Sequence, residues 1–155
     1  TVIANNGAVQ TTGNYKFGPS SGTFNAGSYI NTPDSALFAF GSQPFTVEGW
    51  VYRTTPYYNQ GIVSGRISGT IPINLWTHVA FVGDGANLTV YVNGIASPTI
   101  TNQPAWNNST GILYFGKGGD GDFYGQLDEF RITQGIARYT TDFTPPTEPF
   151  PDIAC

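Results

Sequence analysis

The sequence predicts an all-β fold, an antiparallel two-sheet jelly-roll sandwich, and three observations predict it. Apolar residues alternate with a period of two, interrupted at short intervals by turn signals such as Asp84-Gly85 and Asn93-Gly94. Strong helix formers are scarce, whereas the chain holds 19 Thr, 20 Gly and 11 Pro and is 15% aromatic. A chain of 155 residues is long enough for one core without staples, since a domain of that size removes roughly 70% of its unfolded surface from water.

The elements follow in order. Residues 1–14 read as a polar N-terminal arm or edge strand. Tyr15–Phe17 and Ser28–Asn31 are short strand candidates on either side of the loop GPSSGTFNAG. FTVEGWVYR at 45–53 is the first strong strand. Phe45, Val47, Gly49 and Val51 share one of its faces, Trp50 and Tyr52 the other, so it is expected to be central with cover on both sides. Trp76–Gly83 turns through Asp84-Gly85 into Asn87–Val92, the clearest hairpin of the chain. Asn93-Gly94, a type I′ signal, then returns Ile95–Pro98 antiparallel. Ile112–Gly116 is a further strand, followed by the glycine-rich KGGDGD, and Phe123–Thr133 is the last long one. There Leu127 cannot share a face with Phe130 and Ile132 in regular pleating, which calls for a bulge near Asp128-Glu129. One short helical turn is expected near 134–139. The sandwich is thus assigned to 15–143, and 144–155 to an extended, proline-rich tail lying over the surface.

Composition excludes several functions. Six Lys and Arg, scattered among ten Asp and Glu, make no basic stripe for nucleic acid. No run of 18 apolar residues exists to span a membrane as a helix. Cys155 is the single cysteine and His78 the single histidine, which rules out an internal disulfide and the Cys- or His-rich zinc sites. Only 10% of residues are charged, against roughly 25% in ordinary domains. So few charges beside so many aromatics point to assembly into something larger. Thr1 is compatible with Met removal or with cleavage.

Four segments together resemble a known superfamily: FTVEGWVYR at 45–53, LWTHVAFVGDGANLTVYVNGI at 75–95, ILYFGKGGDGDFYGQLDEFRIT at 112–133 and GIARYTTDFTPPTEPF at 135–150. They are similar to the laminin-G-like, concanavalin A-like lectin/glucanase domains. The tail segment gives the closest likeness, to single-domain versions in bacteriophage virion proteins. The resemblance implies the concanavalin A-like sandwich but not one function, because this fold hosts lectins, hydrolases, adhesion modules and structural caps. The chain departs from the pattern between its GWV and WTHV strands. Only Thr54–Leu75 separates them, so a hairpin is shortened or lost there.

Each candidate chemistry competes with a structural role. The glucanase branch resembles E-x-D-x-(x)-E on one strand, and that motif is absent. Asp128 and Glu129 are adjacent and face opposite ways on a regular strand. Glu129 and Arg131 are expected to pair, and Asp128 to accept hydrogen bonds from loop amides. His78 has no nucleophile motif beside it. No catalytic residue is therefore named, and the protein is expected not to be an enzyme. Calcium is the one cofactor considered. Asp120 and Asp122 flank a glycine in a loop where the resemblance places Ca²⁺, and Asp84 joins them if the loops meet; the other reading is an ordinary Asp-Gly turn. Tyr57, Tyr58 and Asn59, Trp106, Asn107 and Asn108, and Tyr124 carry the aromatic and amide groups that bind sugars or protein partners.

Two functions of different class follow. The first is a non-enzymatic structural module of a phage virion, a capsid decoration or a tail or fibre component, with other virion proteins or copies of itself as partners and the virion surface as its location. The second is a carbohydrate-binding lectin for host-surface attachment, with or without the assistance of calcium; a secreted or cell-surface location is the alternative to the virion. A glycan hydrolase is the third. No nucleic acid partner and no membrane span is expected.

Overall fold

The computed structural model describes residues 4–33, 35, 38–56, 61–62, 71–101, 113–118 and 121–151. Its strands in chain order are β1 (Ala4–Asn6), β2 (Val9–Thr11), β3 (Ser21–Phe24), β4 (Tyr29–Thr32), β5 (Phe45–Arg53), β6 (Trp76–Gly83), β7 (Asn87–Val92), β8 (Ile95–Ala96), β9 (Ile100–Thr101), β10 (Leu113–Phe115), β11 (Lys117–Gly118), β12 (Gly121–Asp122) and β13 (Gly125–Gln134). The large sheet runs β2-β3-β13-β5-β6-β7-β8, with β9 also on β7, and the smaller one runs β1-β4-β10. All of these pairings are antiparallel. The sandwich is therefore the one that the period-two pattern predicts.

Alternation decides which side chains fill the space between the sheets. Phe45, Val47 and Val51 of β5, Val79 and Phe81 of β6 and Leu127 of β13 are buried in one cluster, which also takes in Phe24, Phe123 and Leu113. Each such side chain contributes roughly 1.5–3 kcal/mol of burial free energy. The hairpin through Asp84-Gly85 forms as expected, with Phe81 opposite Val90. Asn93 and Gly94 have φ of 50° and 79°, the paired left-handed residues of a type I′ turn. Gly94 also meets the Phe143 carbonyl where a Cβ would stand, so a side chain is excluded on two counts.

The bulge lies where the phase change in β13 requires it. Asp128 pairs with Trp50 and Arg131 with Glu48, which leaves Glu129 and Phe130 opposite Gly49 alone. Glu129 takes the left-handed conformation, φ 50°, and the extra residue brings Phe130 and Ile132 to the same core as Leu127. Phe130 then occupies the space above Gly49, where an added Cβ would come within 2.6 Å of its ring.

Three expectations are corrected. The segment at 134–139 is not a helical turn: Gln134 ends β13 and the following residues run without helix. Its backbone is claimed by β5 and the residue before it, through Gly135 N to Pro44 O at 2.7 Å, Thr46 Oγ1 to Ile136 O at 3.0 Å and Arg138 N to Thr46 Oγ1 at 3.0 Å. Tyr15–Phe17 is not a strand, because the amides of Lys16 and Phe17 are turned onto the Asp128 carboxylate. The loop GPSSGTFNAG holds β3, which is paired on both sides by β2 and β13.

Gly49→Ala is expected to destabilise the fold by about 1–3 kcal/mol, as overpacking does. Urea denaturation of Gly49→Ala, Phe130→Leu and the double variant checks this. The double variant should be more stable than the sum of the single effects predicts.

Candidate functional site

The face of the large sheet turned away from the core is organised in transverse rows, because antiparallel register sets side chains of neighbouring strands side by side. The first row is Gln126–Tyr52–Trp76, the second Asp128–Trp50–His78 and the third Arg131–Glu48–Ala80–Tyr91. Thr133–Thr46–Val82–Thr89 form the fourth.

The chain after β13 covers most of this face. Tyr139 and Phe143 stack at 3.5 Å between centroids and meet both His78 and Tyr91. Phe150 lies 3.9 Å from the Arg131 guanidinium. Phe143 N and the Asp142 carboxylate bond to Gly94 O and Ala96 N, which fixes the cover on the hairpin. The described part of the proline-set tail thus lies over the sandwich, as expected, with Phe150 held on β13.

Beneath it Glu48 is completely buried. Arg131 donates to its Oε1 from Nη2 at 2.7 Å and Nε at 3.1 Å, and the Tyr139 hydroxyl donates to Oε2 at 2.8 Å. His78 Nε2 lies 3.3 Å from Oε2, and its Nδ1 has no hydrogen-bond partner among the described residues. Burial opposes ionisation of Glu48, but the contacts from His78, Arg131 and Tyr139 and the Arg131 charge outweigh it, so its carboxyl sits below the usual range. Burial and the Glu48 carboxylate push the Tyr139 hydroxyl up. The expected Glu129–Arg131 pair is corrected here: the bulge turns Glu129 aside to accept from Phe150 N at 2.8 Å, and Arg131 takes Glu48.

The other carboxylates are similarly engaged. Asp128, on β13, accepts from the loop amides of Lys16 and Phe17, as expected, and from Glu129 N. Asp84 accepts from Ala86 N, Asn87 N and Asn87 Nδ2 and caps the hairpin turn; these bonds, Ala86 first, hold its carboxyl below the usual range. Asp122 accepts from Gly27 N at 2.8 Å. Six of the seven described carboxylates, Glu148 being the seventh, thus accept hydrogen bonds from the protein itself. A cleft of about 320 Å³ between the sheets, walled by Phe24, Ile30, Phe115 and Phe130, is bordered by Asp128 and Glu129, each of which accepts hydrogen bonds from backbone amides.

Of the expected calcium set, Asp84 does not meet Asp122. Asp84 follows Gly83, which pairs with Phe45 at one end of β5, whereas Asp122 precedes Gly125, which pairs with Arg53 at the other. Nine residues of extended strand separate those ends by roughly 27 Å. Asp120 lies outside the described residues, as do Tyr57, Tyr58, Asn59, Trp106, Asn107 and Asn108. Among the described residues no three His, Cys, Asp or Glu group as metal ligands. Tyr124 is half-buried and its carbonyl accepts from Thr54 N, which places it at the Arg53 end of β5.

That end carries the first row, which sequence reasoning missed. Tyr52 and Trp76 are both half-buried, with ring centroids 5.4 Å apart and planes at 51°. Asn14 braces the row, accepting from Trp76 Nε1 at 3.0 Å and donating to Gln126 Oε1 at 3.1 Å. The contacts of the C-terminal cover fall on the other rows. Trp50, one row further in, is buried under Phe17 and His78, with the Lys16 ammonium 3.9 Å from its ring.

A laminin-G-type family model, described as the concanavalin A-like lectin/glucanases superfamily, matches residues 59–137. The chain belongs to that superfamily. No curated protein matches it. Among solved structures, domain 4 of AbnA, a GH43 extracellular arabinanase from Geobacillus stearothermophilus solved in complex with arabinotriose, is similar at TM-score 0.63 and 22% identity, over 86% of this chain and 82% of that one. The binding domain of Paraclostridial Mosquitocidal Protein 1 is similar at TM-score 0.62 and 16% identity, over 86% of this chain and 44% of that one. Trypanosoma rangeli sialidase is similar at TM-score 0.55 and 12% identity, over 83% of this chain and 28% of that one. At these identities the likeness is one of fold. The buried ion network is a structural clasp, and among the described residues the first row is a half-buried polar-aromatic surface outside the contacts of the C-terminal cover.

Removing the Glu48 charge strands Arg131 beside buried aromatics, so Glu48→Gln is expected to cost about 3–5 kcal/mol. Because the folded carboxyl is lowered, its contribution is full above the unfolded carboxylate pKa and disappears as pH falls through the folded value. Urea midpoints measured from pH 7 to pH 3 should fall less steeply in Glu48→Gln than in the parent.

Proposed function

We propose that this domain is a non-catalytic module that binds glycans. The observation that carries the reading is the commitment of its carboxylates. A glycosidase needs two carboxyl groups roughly 5–10 Å apart with lone pairs or a proton free for the scissile bond and water. Glu48 instead clasps the tail, Asp128 and Asp122 hold loops, Asp84 caps a hairpin and Glu129 anchors Phe150. The lectin/glucanase fold and the arabinotriose bound by the arabinanase domain of the same fold support a sugar as the ligand class. Calcium is no part of the proposal, since Asp84 and Asp122 stand at opposite ends of the sheet.

A second reading, a structural role on a virion surface, is supported by the phage-like tail segment and by the edges of the large sheet. Val9 on β2 and Ile95 on β8 are 59% and 60% exposed at opposite edges, apolar residues where pairing with further copies is available. Calorimetric titration with neutral and acidic oligosaccharides, with and without EDTA, tests the first reading together with a reducing-sugar assay. Saccharide binding without sugar release, unchanged by EDTA, is expected; release of reducing ends, lost in Asp128→Asn or Glu129→Gln, would contradict it. Light scattering tests the second. An oligomer that dissociates in Val9→Lys or Ile95→Lys favours assembly, and a monomer that binds sugar favours the module.

A further inference from the structure

The geometry points to the row Gln126–Tyr52–Trp76, braced by Asn14, as the saccharide platform, and to a neutral oligosaccharide as its ligand. The assignment rests on the glycan-binding reading and names the surface that would perform it.

A sugar ring presents an apolar C–H face and a rim of hydroxyls, so its site needs an aromatic surface with amide donors and acceptors beside it. The first row supplies both in one line across three strands. Tyr52 and Trp76 stand next to each other at 5.4 Å, tilted at 51°, and neither is fully covered. Two tilted rings form a shallow trough that takes successive units of a chain rather than one flat aromatic ligand. Gln126 has its Oε1 occupied by Asn14, which orients its amide and leaves the Nε2 hydrogens for hydroxyl oxygens. Asn14 accepts the indole N–H, which locks the Trp76 ring. Such bracing lowers the side-chain entropy lost on binding.

The setting matches an interaction surface. Tyr15, Ile73 and Leu75 are 44%, 46% and 54% exposed, and they lie within three residues of Asn14 or Trp76 in the chain. Trp50 and the Glu48 clasp keep the inner rows closed, so the first row is where the outer face remains open. Charge selects the ligand. Gln126, Tyr52, Trp76 and Asn14 are uncharged, and the ions of the neighbouring row are already engaged. Lys16 lies over the Trp50 ring, and Asp128 accepts from three backbone amides. The row itself therefore holds no cation to pair with a uronate or sialate.

The test titrates the whole chain with arabinotriose, cellotriose and maltotriose as neutral probes and trigalacturonate as the acidic one. At least one neutral trisaccharide should bind, and trigalacturonate should bind no tighter. Tyr52→Ala and Trp76→Ala should weaken binding at least tenfold, and Gln126→Ala several-fold. Trp76→Phe, which keeps a ring but loses the Asn14 bond, should fall in between; it and Gln126→Ala keep the test decisive if the alanine variants unfold. Ile136→Ser, in the segment that follows β13, should bind as the parent does. Parent-like binding by folded Tyr52, Trp76 and Gln126 variants overturns the platform while leaving glycan binding intact. Tighter binding of trigalacturonate overturns the neutral class. No binding of any saccharide overturns the glycan-binding reading itself.

Discussion

One carboxylate in the middle of β5 fixes how the outer face is used. Glu48 is fully buried, and taking an ion out of water costs several kcal/mol unless hydrogen bonds and charge offset it. The offset comes from two places that are remote in sequence. Arg131 reaches it from β13 beyond the bulge, and Tyr139 reaches it from the cover that follows that strand. Neither can be moved without leaving a buried charge, so the register of β13 against β5 and the path of residues 135–151 are bound to the same ion. The bulge takes part directly. Without the extra residue opposite Gly49, Arg131 would face the core and Phe130 the clasp.

From that constraint the division of the surface follows. Tyr139, Phe143 and Phe150 cover His78, Tyr91 and Arg131, Lys16 and Phe17 cover Trp50, and among the described residues the contacts of neither group reach the first row. The six engaged carboxylates extend the same logic, each tying a loop, turn or tail to the sandwich. Among the described residues these six carboxylates act as structural acceptors of backbone and side-chain hydrogen bonds. What the described cover does not touch is aromatic and amide in character.

Much of the architecture is legible in the sequence because it is written in local pattern. Alternation places β5, β6 and β7, the Asn93-Gly94 pair specifies its turn, and the phase slip at Leu127 and Phe130 locates the bulge. The helical turn expected at 134–139 does not form because its backbone bonds go to Pro44 and Thr46, about ninety residues away in the chain. For the same reason β3 is hidden among glycines and serines: its partners β2 and β13 hold it, not its own propensity. The site is harder still. Alternation turns Tyr52 away from the core, but its alignment with Trp76 and Gln126 depends on register between three strands, and Asn14 reaches them from the N-terminal segment. Asp84 and Asp122 look alike beside their glycines, and only register shows that they stand at opposite ends of β5.

Amide chemical-shift mapping with a saturating neutral trisaccharide tests the central claim most directly, namely that the clasp closes the inner rows and leaves the first row to bind. The account predicts perturbations centred on Asn14, Tyr15, Tyr52, Trp76 and Gln126, with residues 135–150 unmoved. Perturbations centred on Tyr139, Phe143 and Phe150, or confined to segments away from the first row, would contradict it.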